Sequence, residues 1–310
     1  MQVTSNRIVV LGTGGTIAGR GAPGADMGYV AGQIGVGELL AGIPELAGVP
    51  VATEQVAQID SKDMAFGVWQ ALAARCAHWL AQADVAGIVI THGTDTLEET
   101  AWFLQRVLAP ARPVVITCAM RPATALVPDG PQNLVDAFAV ARHPGAQGVT
   151  AVCAGVVHGA AEVRKLHPYR LDAFGSGDAG PLAYVEAGRL RRLRAWPQGS
   201  AEAALLDRLA RTREWPWVEI VTNQAGAGAR TVDALVAAGV RGLVAAGTGN
   251  GSLNSEMEQA LLRAMDRGVR VVRSTRCLDG EVIGQPGDRL PAHPLTPVKA
   301  RVDLLLELLG

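Results

Sequence analysis

The fold of this chain is decided by residues 9–18, which read Val9-Val10-Leu11-Gly12-Thr13-Gly14-Gly15-Thr16-Ile17-Ala18. An apolar, β-branched run that leads directly into glycines is typical of a buried strand followed by a tight turn. Glycine lets the backbone approach a ligand closely, and Thr13 and Thr16 carry hydroxyl groups beside it. The stretch therefore predicts a strand that presents a threonine hydroxyl to a bound molecule.

Similar apolar runs recur after this strand and alternate with segments of helical period. The first part of the chain predicts strands at 8–11, 51–59, 87–91, 113–118 and 148–153, and helices at 65–82, 97–108 and 133–141. This alternation predicts an α/β fold with a mainly parallel, doubly wound sheet. Ligands bind such sheets at the carboxyl ends of the strands, so we expect a site in the turns that follow residues 11 and 91.

The alternation is interrupted at residues 189–213, which include seven arginines. We interpret this segment as a solvated linker rather than an anion site, between an N-terminal α/β domain (1–188) and a C-terminal one (214–310). The second domain predicts strands at 218–222, 242–245 and 269–273, and helices at 231–238, 254–267 and from 296. The expected architecture is two α/β domains.

Composition narrows the class of function. The 310 residues suffice for two domains, and a net charge of −1 provides no basic field for nucleic acid. Neither a membrane-spanning apolar run nor a signal peptide is recognisable, which predicts a cytoplasmic protein with a small-molecule substrate. The four cysteines are widely spaced and share no metal-ligand spacing with histidines, so we expect reduced, core-filling thiols and neither metal nor cofactor.

The first glycine turn has two readings besides that of a reactive hydroxyl. It lacks the third glycine of a dinucleotide loop, and no Gly-Lys-Ser/Thr follows, which weakens a nucleotide reading. Thr16 could also serve as a helix N-cap. The glycine-rich residues 20–37 contain one tyrosine, Tyr29, and are consistent with a lid that closes over substrate or with a plain surface loop.

The second turn, residues 92–99, mixes helix architecture with free polar groups. Thr96 and Glu99 match a Thr-x-x-Glu capping box and are expected to start the helix. Thr94 and Asp95 precede the cap and are free to face a ligand. His92 has no second metal ligand spaced to join it and is interpreted as structural.

A threonine nucleophile needs a neighbour that accepts its proton. Only three lysines occur, Lys62, Lys165 and Lys299, and Lys165 lies in a turn-rich segment after a strand-like run. A lysine with an ordinary pKa near 10.4 is almost fully charged at neutral pH, so a lysine base requires burial. A charged lysine beside Asp95 would instead orient Thr94, and both alternatives remain open.

The two threonine turns, residues 13–18 and 90–101, resemble those of the bacterial-type L-asparaginases. Further matches lie at 60–64, 119–122, 129–134 and 247–251, so that the resemblance spans nearly the whole chain. Members of that family hydrolyse asparagine to aspartate and ammonia through a covalent acyl-enzyme, without a cofactor. They are tetramers of intimate dimers, in which the second domain completes a neighbour's active site.

The resemblance implies roles for individual residues. Thr16 would be the nucleophile, assisted by Tyr29, while Thr94, Lys165 and Asp95 would form a second catalytic group. Ser61 and Asp95 would hold the substrate's α-carboxylate and α-amino groups, and backbone N–H groups near Gly15 and Thr94 would stabilise the oxyanion.

The chain departs from the family pattern at some substrate-binding positions. Lys62 replaces a small polar residue, and its charge either favours the α-carboxylate or points to solvent. Asn250 matches the family, whereas Ser252 stands where periplasmic members often carry asparagine. Glu281 is the nearby candidate for an acidic residue donated to a neighbouring subunit.

The sequence therefore predicts an L-asparaginase in a homodimer or homotetramer with shared sites. Glutaminase or mixed activity is the nearest alternative, because one methylene is worth only about 1–3 kcal/mol of discrimination. A subunit that supplies ammonia to a partner enzyme is a further alternative. A non-catalytic amino-acid-binding or nucleotide-binding α/β protein is the alternative from another class.

Overall fold

The structure is a computed structural model that describes residues 6–23, 28–199 and 203–309. The chain divides after Leu206 into two compact units. Both units are α/β, as the alternation of strands and helices predicts. No helix within the described residues is long and apolar enough to cross a membrane.

In the described part of the first unit there are ten strands. They are β1 (Arg7–Gly14), β2 (Val51–Ile59), β3 (Val85–Thr91), β4 (Val114–Thr117), β5 (Val149–Cys153), β6 (Val156–Gly159), β7 (Arg164–Lys165), β8 (Phe174–Gly175), β9 (Ala183–Glu186) and β10 (Arg189–Arg192). Eight of them form one sheet in the order β10-β9-β6-β5-β4-β3-β1-β2, and β7 pairs with β8 in a separate ribbon. The five strands from β5 to β2 run parallel, and the other three are antiparallel.

Helices cover this sheet on both faces. They are α1 (Val36–Ala41), α2 (Phe66–Leu80), α3 (Leu97–Leu108) and α4 (Gly130–Ala141), with α5 (Ala203–Arg211) at the boundary of the units. Residues 8–11 of β1 are fully buried, which requires cover on both sides of a parallel strand. Ile8 and Val10 pack in one cluster with Leu134 and Phe138 of α4. The mainly parallel, doubly wound prediction is confirmed.

The segment 189–213 differs from the predicted linker, because it contains β10 and α5. β10 is an edge strand whose Leu190 is half-buried while its three arginines are exposed. Arg191 pairs with Glu186 of β9 at 2.6 Å. In α5, Leu205 and Leu209 are buried. The many arginines hide these short apolar patterns, because an edge strand and a surface helix each need only one apolar face.

The second unit is smaller and consists of a three-stranded parallel sheet with helices. Its elements are β11 (Val218–Thr222), α6 (Arg230–Ala237), β12 (Gly242–Gly247), α7 (Ser255–Asp266), β13 (Arg270–Thr275) and α8 (Pro297–Glu307). The strand order is β11-β12-β13, and α8 packs against all three strands. Val232 of α6, Leu261 of α7 and Leu243 of β12 are fully buried in one cluster. This apolar cluster stabilises the unit.

Candidate active site

Three turns meet at the carboxyl edge of the large sheet. β1 lies between β2 and β3, and all three run parallel. Their carboxyl ends therefore lie side by side, and each leads into a turn that carries polar side chains: Thr16 after β1, Ser61 after β2 and Thr94 after β3. This is the edge at which the sequence predicts a ligand site.

The turns touch through glycine backbones. Gly15 has φ +81°, a conformation that L side chains rarely adopt, and a Cβ on it would collide with the backbone of Gly93. A Cβ on Gly93 would in turn collide with the side chain of Ser61. The turns after β1 and β3 are thus in backbone contact. The turn after β2 packs against the turn after β3 through Ser61.

Thr16 lies beside Tyr29. The Thr16 Oγ1 and Tyr29 OH atoms are 2.7 Å apart, and Thr16 is only 8% exposed. Two backbone hydrogen bonds between Arg20 and Val30 close the base of the loop that carries Tyr29. Residues 24–27 of the predicted lid lie outside the described part of the chain. Gly15, not Thr16, occupies the N-cap of the short 3-10 turn here, so the N-cap reading of Thr16 is wrong.

Thr94, Asp95 and Lys165 form a second group. Lys165 Nζ donates to Thr94 Oγ1 at 2.7 Å and to Asp95 Oδ1 at 2.6 Å. The lysine side chain is largely buried, at 18% exposure, while that of Asp95 is half exposed. These are the contacts that the orienting alternative requires, in which a lysine paired with Asp95 donates to the Thr94 hydroxyl.

Ser61 is tied to the turn after β3. Its Oγ accepts a hydrogen bond from the backbone N–H of Asp95 at 3.1 Å, and its carbonyl accepts one from Thr96 Oγ1 at 2.8 Å. The predicted capping box is therefore wrong in its first half, because the Thr96 hydroxyl bonds to Ser61 and caps nothing in α3. The tertiary partner outcompetes the local one.

The contacts of Lys62 do not support the prediction that its charge binds the substrate's α-carboxylate. Its Nζ pairs with Asp60 at 2.8 Å and with Asp63 at 3.2 Å, and the side chain is mostly exposed. Both carboxylates raise the pKa of Lys62 through hydrogen bonds. Of the two readings, the one in which Lys62 points away from a ligand fits this geometry, because its charge is already balanced within its own turn.

The backbone N–H groups near Gly15 and Thr94 differ in whether they are already hydrogen-bonded. The Gly15 N–H donates to the carbonyl of Ile59 at 2.8 Å, so it is not available to a substrate oxygen. The N–H groups of Thr16 and Thr94 donate to no acceptor among the described residues. Unbonded N–H groups are suited to bind developing negative charge, and Thr16, the neighbour of Gly15, carries such a group.

His92 is structural, as expected from its isolation. It is fully buried, and its Nδ1 lies 2.7 Å from the Gly93 carbonyl, which only accepts hydrogen bonds, so Nδ1 carries the proton. Its Nε2 has no hydrogen-bond partner within the described residues. Burial lowers the pKa of His92 to about 4. The ring is therefore neutral near pH 7, and its Nδ1–H group holds the Gly93 carbonyl in place.

This buried histidine should make the protein acid-sensitive. An unfolded histidine titrates near pH 6.5, so the stability that neutral His92 provides is complete above that pH and is lost as pH falls towards 4. The loss amounts to roughly 3 kcal/mol for a shift of this size. Urea unfolding at about pH 7 and about pH 4.5 should reveal it. His92→Asn keeps a donor for Gly93, and an equally steep pH dependence in that variant would rule out His92 as the cause.

The other candidate residues, Asn250, Ser252 and Glu281, belong to the second unit. The Asn250 amide makes two hydrogen bonds within its own unit, since it donates to the Ile283 carbonyl at 3.0 Å and accepts from the Ile283 N–H at 2.7 Å. Ser252 exchanges backbone hydrogen bonds with Thr248 and is exposed, as is Glu281. In this structure Asn250 therefore anchors the segment that carries Glu281, a role that the sequence did not indicate.

The described residues contain no group of three or more His, Cys, Asp or Glu side chains that could hold a metal ion. Cys76, Cys118 and Cys153 are buried free thiols, while Cys277 is an exposed one. Burial raises the pKa of Cys76 well above its ordinary value. Burial and a raised pKa suit core filling by Cys76.

Two family models match this chain. A family model described as asparaginase, N-terminal, matches residues 7–197, and one described as glutaminase/asparaginase C-terminal domain matches residues 217–309. The chain belongs to the asparaginase family. It is an amidohydrolase, as predicted.

Individual relatives of this asparaginase-family chain are similar over nearly its full length. L-asparaginase 2 of Escherichia coli is 37% identical over 97% of this chain and 88% of its own. The glutaminase-asparaginase of Pseudomonas fluorescens is also 37% identical, over 95% and 84% of the two chains. A solved structure of a probable cytoplasmic L-asparaginase from Campylobacter jejuni superposes with a TM-score of 0.91 at 35% identity, covering 98% and 95%.

Some residues that organise the site of this asparaginase-family chain escaped sequence reasoning. The Asp129 carboxylate accepts from the backbone N–H groups of Met120 and Arg121, each at 2.9 Å. The Asn133 amide joins the Cys118 carbonyl to the Ala154 N–H, both at 2.9 Å. Both lie in the matching stretch 129–134, whose polar residues at a helix start were the available signal.

Proposed function

We propose that this protein hydrolyses L-asparagine to L-aspartate and ammonia, with Thr16 as the nucleophile. One observation supports this above all: Thr16, paired with Tyr29, and Thr94, grouped with Asp95 and Lys165, stand on two turns that are in backbone contact. The names of the relatives, L-asparaginase and glutaminase-asparaginase, support the same substrate class.

The chemistry follows from these contacts. Thr16 Oγ1 attacks the side-chain amide carbon, and its proton passes by way of Tyr29 OH to the leaving nitrogen. The C–N bond breaks, ammonia departs, and an ester joins the substrate acyl group to Thr16. Water then attacks the ester, and its proton returns to Thr16 as aspartate leaves. The N–H groups of Thr16 and Thr94 stabilise the oxyanion in both steps.

The charges of Lys165 and Asp95 determine the role that we propose for Thr94. Lys165 bears a positive charge held by Asp95 and donates to the Thr94 hydroxyl, so the hydroxyl keeps a lone pair and its proton free for the substrate or the attacking water. The Asp95 carboxylate, half exposed, offers a partner for the α-ammonium group. The Ser61 hydroxyl, which accepts from the Asp95 N–H, keeps its own proton for the α-carboxylate.

Glutamine is the second candidate substrate, because the Pseudomonas fluorescens relative is named a glutaminase-asparaginase. Ammonia release measured side by side on asparagine and glutamine tests both. Release with asparagine supports the proposal, and release with glutamine alone would shift it to a glutaminase. Release with neither, from folded protein, would favour a non-catalytic binding protein or a subunit that needs a partner.

Tyr29→Phe should slow turnover more than it weakens binding. The substitution removes one hydroxyl, 2.7 Å from the nucleophile, and leaves the ring in place. Loss of a proton-transfer group lowers kcat by about a hundredfold or more, while KM should change far less. Tyr184→Phe is the matched control, since Tyr184 lies on β9 beside Arg191. Equal effects of Tyr29→Phe on kcat and KM would argue against proton transfer through Tyr29.

We further propose a homodimer or homotetramer in which the domain from residue 214 onward supplies Asn250, Ser252 and Glu281 to a neighbour's site. The exposure of Ser252 and Glu281 supports this. A cytoplasmic location is proposed from the similarity to the probable cytoplasmic Campylobacter enzyme. Full activity of a monomer isolated by ultracentrifugation would overturn the shared site.

A further inference from the structure

Lys165 lies on a very short β-strand. It lies on β7, which pairs with β8 through only two residues on each strand, with Lys165 opposite Phe174. Residues 166–173 form the intervening loop. A two-stranded ribbon of this length is not stable on its own. The place of the Lys165 ammonium group therefore depends on whatever fastens the ribbon to the large sheet.

Side-chain contacts fasten it, among them one made by His158 and one made by Cys153. The His158 Nδ1 and Ser176 Oγ atoms are 2.7 Å apart; His158 lies on β6, and Ser176 directly follows β8. Both residues are buried. The second contact, from Cys153 Sγ to the Leu171 carbonyl, is 3.7 Å long and involves a weak thiol donor. The histidine–serine bond is the stronger of the two, and water does not compete for it.

We propose that His158 and Ser176 are positioning residues for Lys165. Their hydrogen bond holds the ribbon where Lys165 Nζ reaches Thr94 Oγ1 and Asp95 Oδ1 together. The inference rests on the proposed function, since it assumes that Lys165 works with Thr94. Contacts of 2.7 and 2.6 Å leave little tolerance, and a displacement of about 1 Å breaks both. A misplacement of that size in an active site costs about a hundredfold in rate.

The first test removes the bond from either side. Ser176→Ala should lower kcat about ten- to a hundredfold and leave KM within about twofold, because Ser61 and the backbone of the turn that carries Asp95 are untouched. His158→Gln should give the same loss, and the double variant should lose no more than either single variant. Ser176→Thr, which keeps the hydroxyl, should recover most of the turnover. These changes in kcat without KM are not expected from a generally loosened fold.

Ser274→Ala is the matched control. Ser274 is a fully buried serine of the second unit whose Oγ donates to the Leu295 carbonyl at 2.7 Å. Its loss removes the same kind of bond and should lower the melting temperature, but leave kcat unchanged. If Ser176→Ala and Ser274→Ala lower kcat equally, the bond contributes only stability and the positioning role is overturned.

Lys165→Met separates this inference from the proposed function. If Lys165→Met keeps wild-type turnover, the role that the proposed function gives to Lys165 is wrong. If Lys165→Met is impaired, Ser176→Ala should lower the residual kcat by no more than about twofold in that background, because both act through one ammonium group. Losses that multiply, or a Ser176→Ala single variant with unchanged kcat, would overturn the positioning role alone.

Discussion

Replacing Thr16 with alanine is expected to lower kcat for asparagine by about ten-thousandfold or more, because the bond-forming oxygen is removed. The fold should persist. The Thr16 hydroxyl is hydrogen-bonded to Tyr29 OH at 2.7 Å, and the loss of one such hydrogen bond costs only about 1 kcal/mol. Steady-state ammonia release and thermal unfolding of the same preparation measure both effects.

Thr16→Ser is the matched variant, since it keeps an oxygen at the same position on a less restrained side chain. We expect it to retain a measurable part of the activity. Near-normal turnover in Thr16→Ala would transfer the nucleophile's role to another hydroxyl, and Thr94 is the first candidate. Loss of activity together with loss of the folded state would instead point to a role in the turn.

Thr94→Val should be the second most damaging substitution. Valine has nearly the shape of threonine, so the turn after β3 should keep its backbone, while Lys165 Nζ loses the oxygen that lies 2.7 Å away. Groups that act in proton transfer contribute about 10²- to 10⁴-fold, and we expect a fall of kcat in that range. Lys165 keeps its ion pair with Asp95, so a gross rearrangement is not expected.

Thr100→Val provides the comparison for Thr94→Val. The Thr100 hydroxyl lies within α3 and accepts a hydrogen bond from Trp69 Nε1 at 2.9 Å. Its removal leaves a buried donor unpaired, which costs about 1–3 kcal/mol of stability. Turnover should be unaffected. Unchanged kcat in Thr94→Val, or an equal loss in both variants, would contradict a chemical role for Thr94.

The strands and helices that carry the site were predictable because their signals are local. Residues 8–11 form part of β1, and the helix predicted at 97–108 has those bounds in the structure. Apolar periodicity and turn chemistry act over a few residues, so the sequence alone displays them. The short helix α1 and the edge strand β10 were missed, because each has too few apolar residues to show a period.

Side-chain partners were harder to predict. The Thr96 hydroxyl had a plausible partner three residues away, yet it bonds to the carbonyl of Ser61. Lys62 had a plausible ligand, yet its charge pairs with Asp60 and Asp63. A polar group takes the best-placed partner among several, and the competing partners become visible only when separate turns are packed together.

The sequence by itself determined the alternating α/β order and the two turns that combine glycine with threonine. These features arise from backbone conformation and apolar period, which neighbouring residues set. Only the tertiary structure decided that Lys165 reaches Thr94 and Asp95, which lie 71 and 70 residues earlier in the chain. It also decided that the Gly15 N–H donates to the carbonyl of Ile59, whereas the Thr16 N–H has no acceptor among the described residues. Contacts across such separations depend on how the parallel strands align, which is a property of the whole sheet and of the ribbon fastened to it.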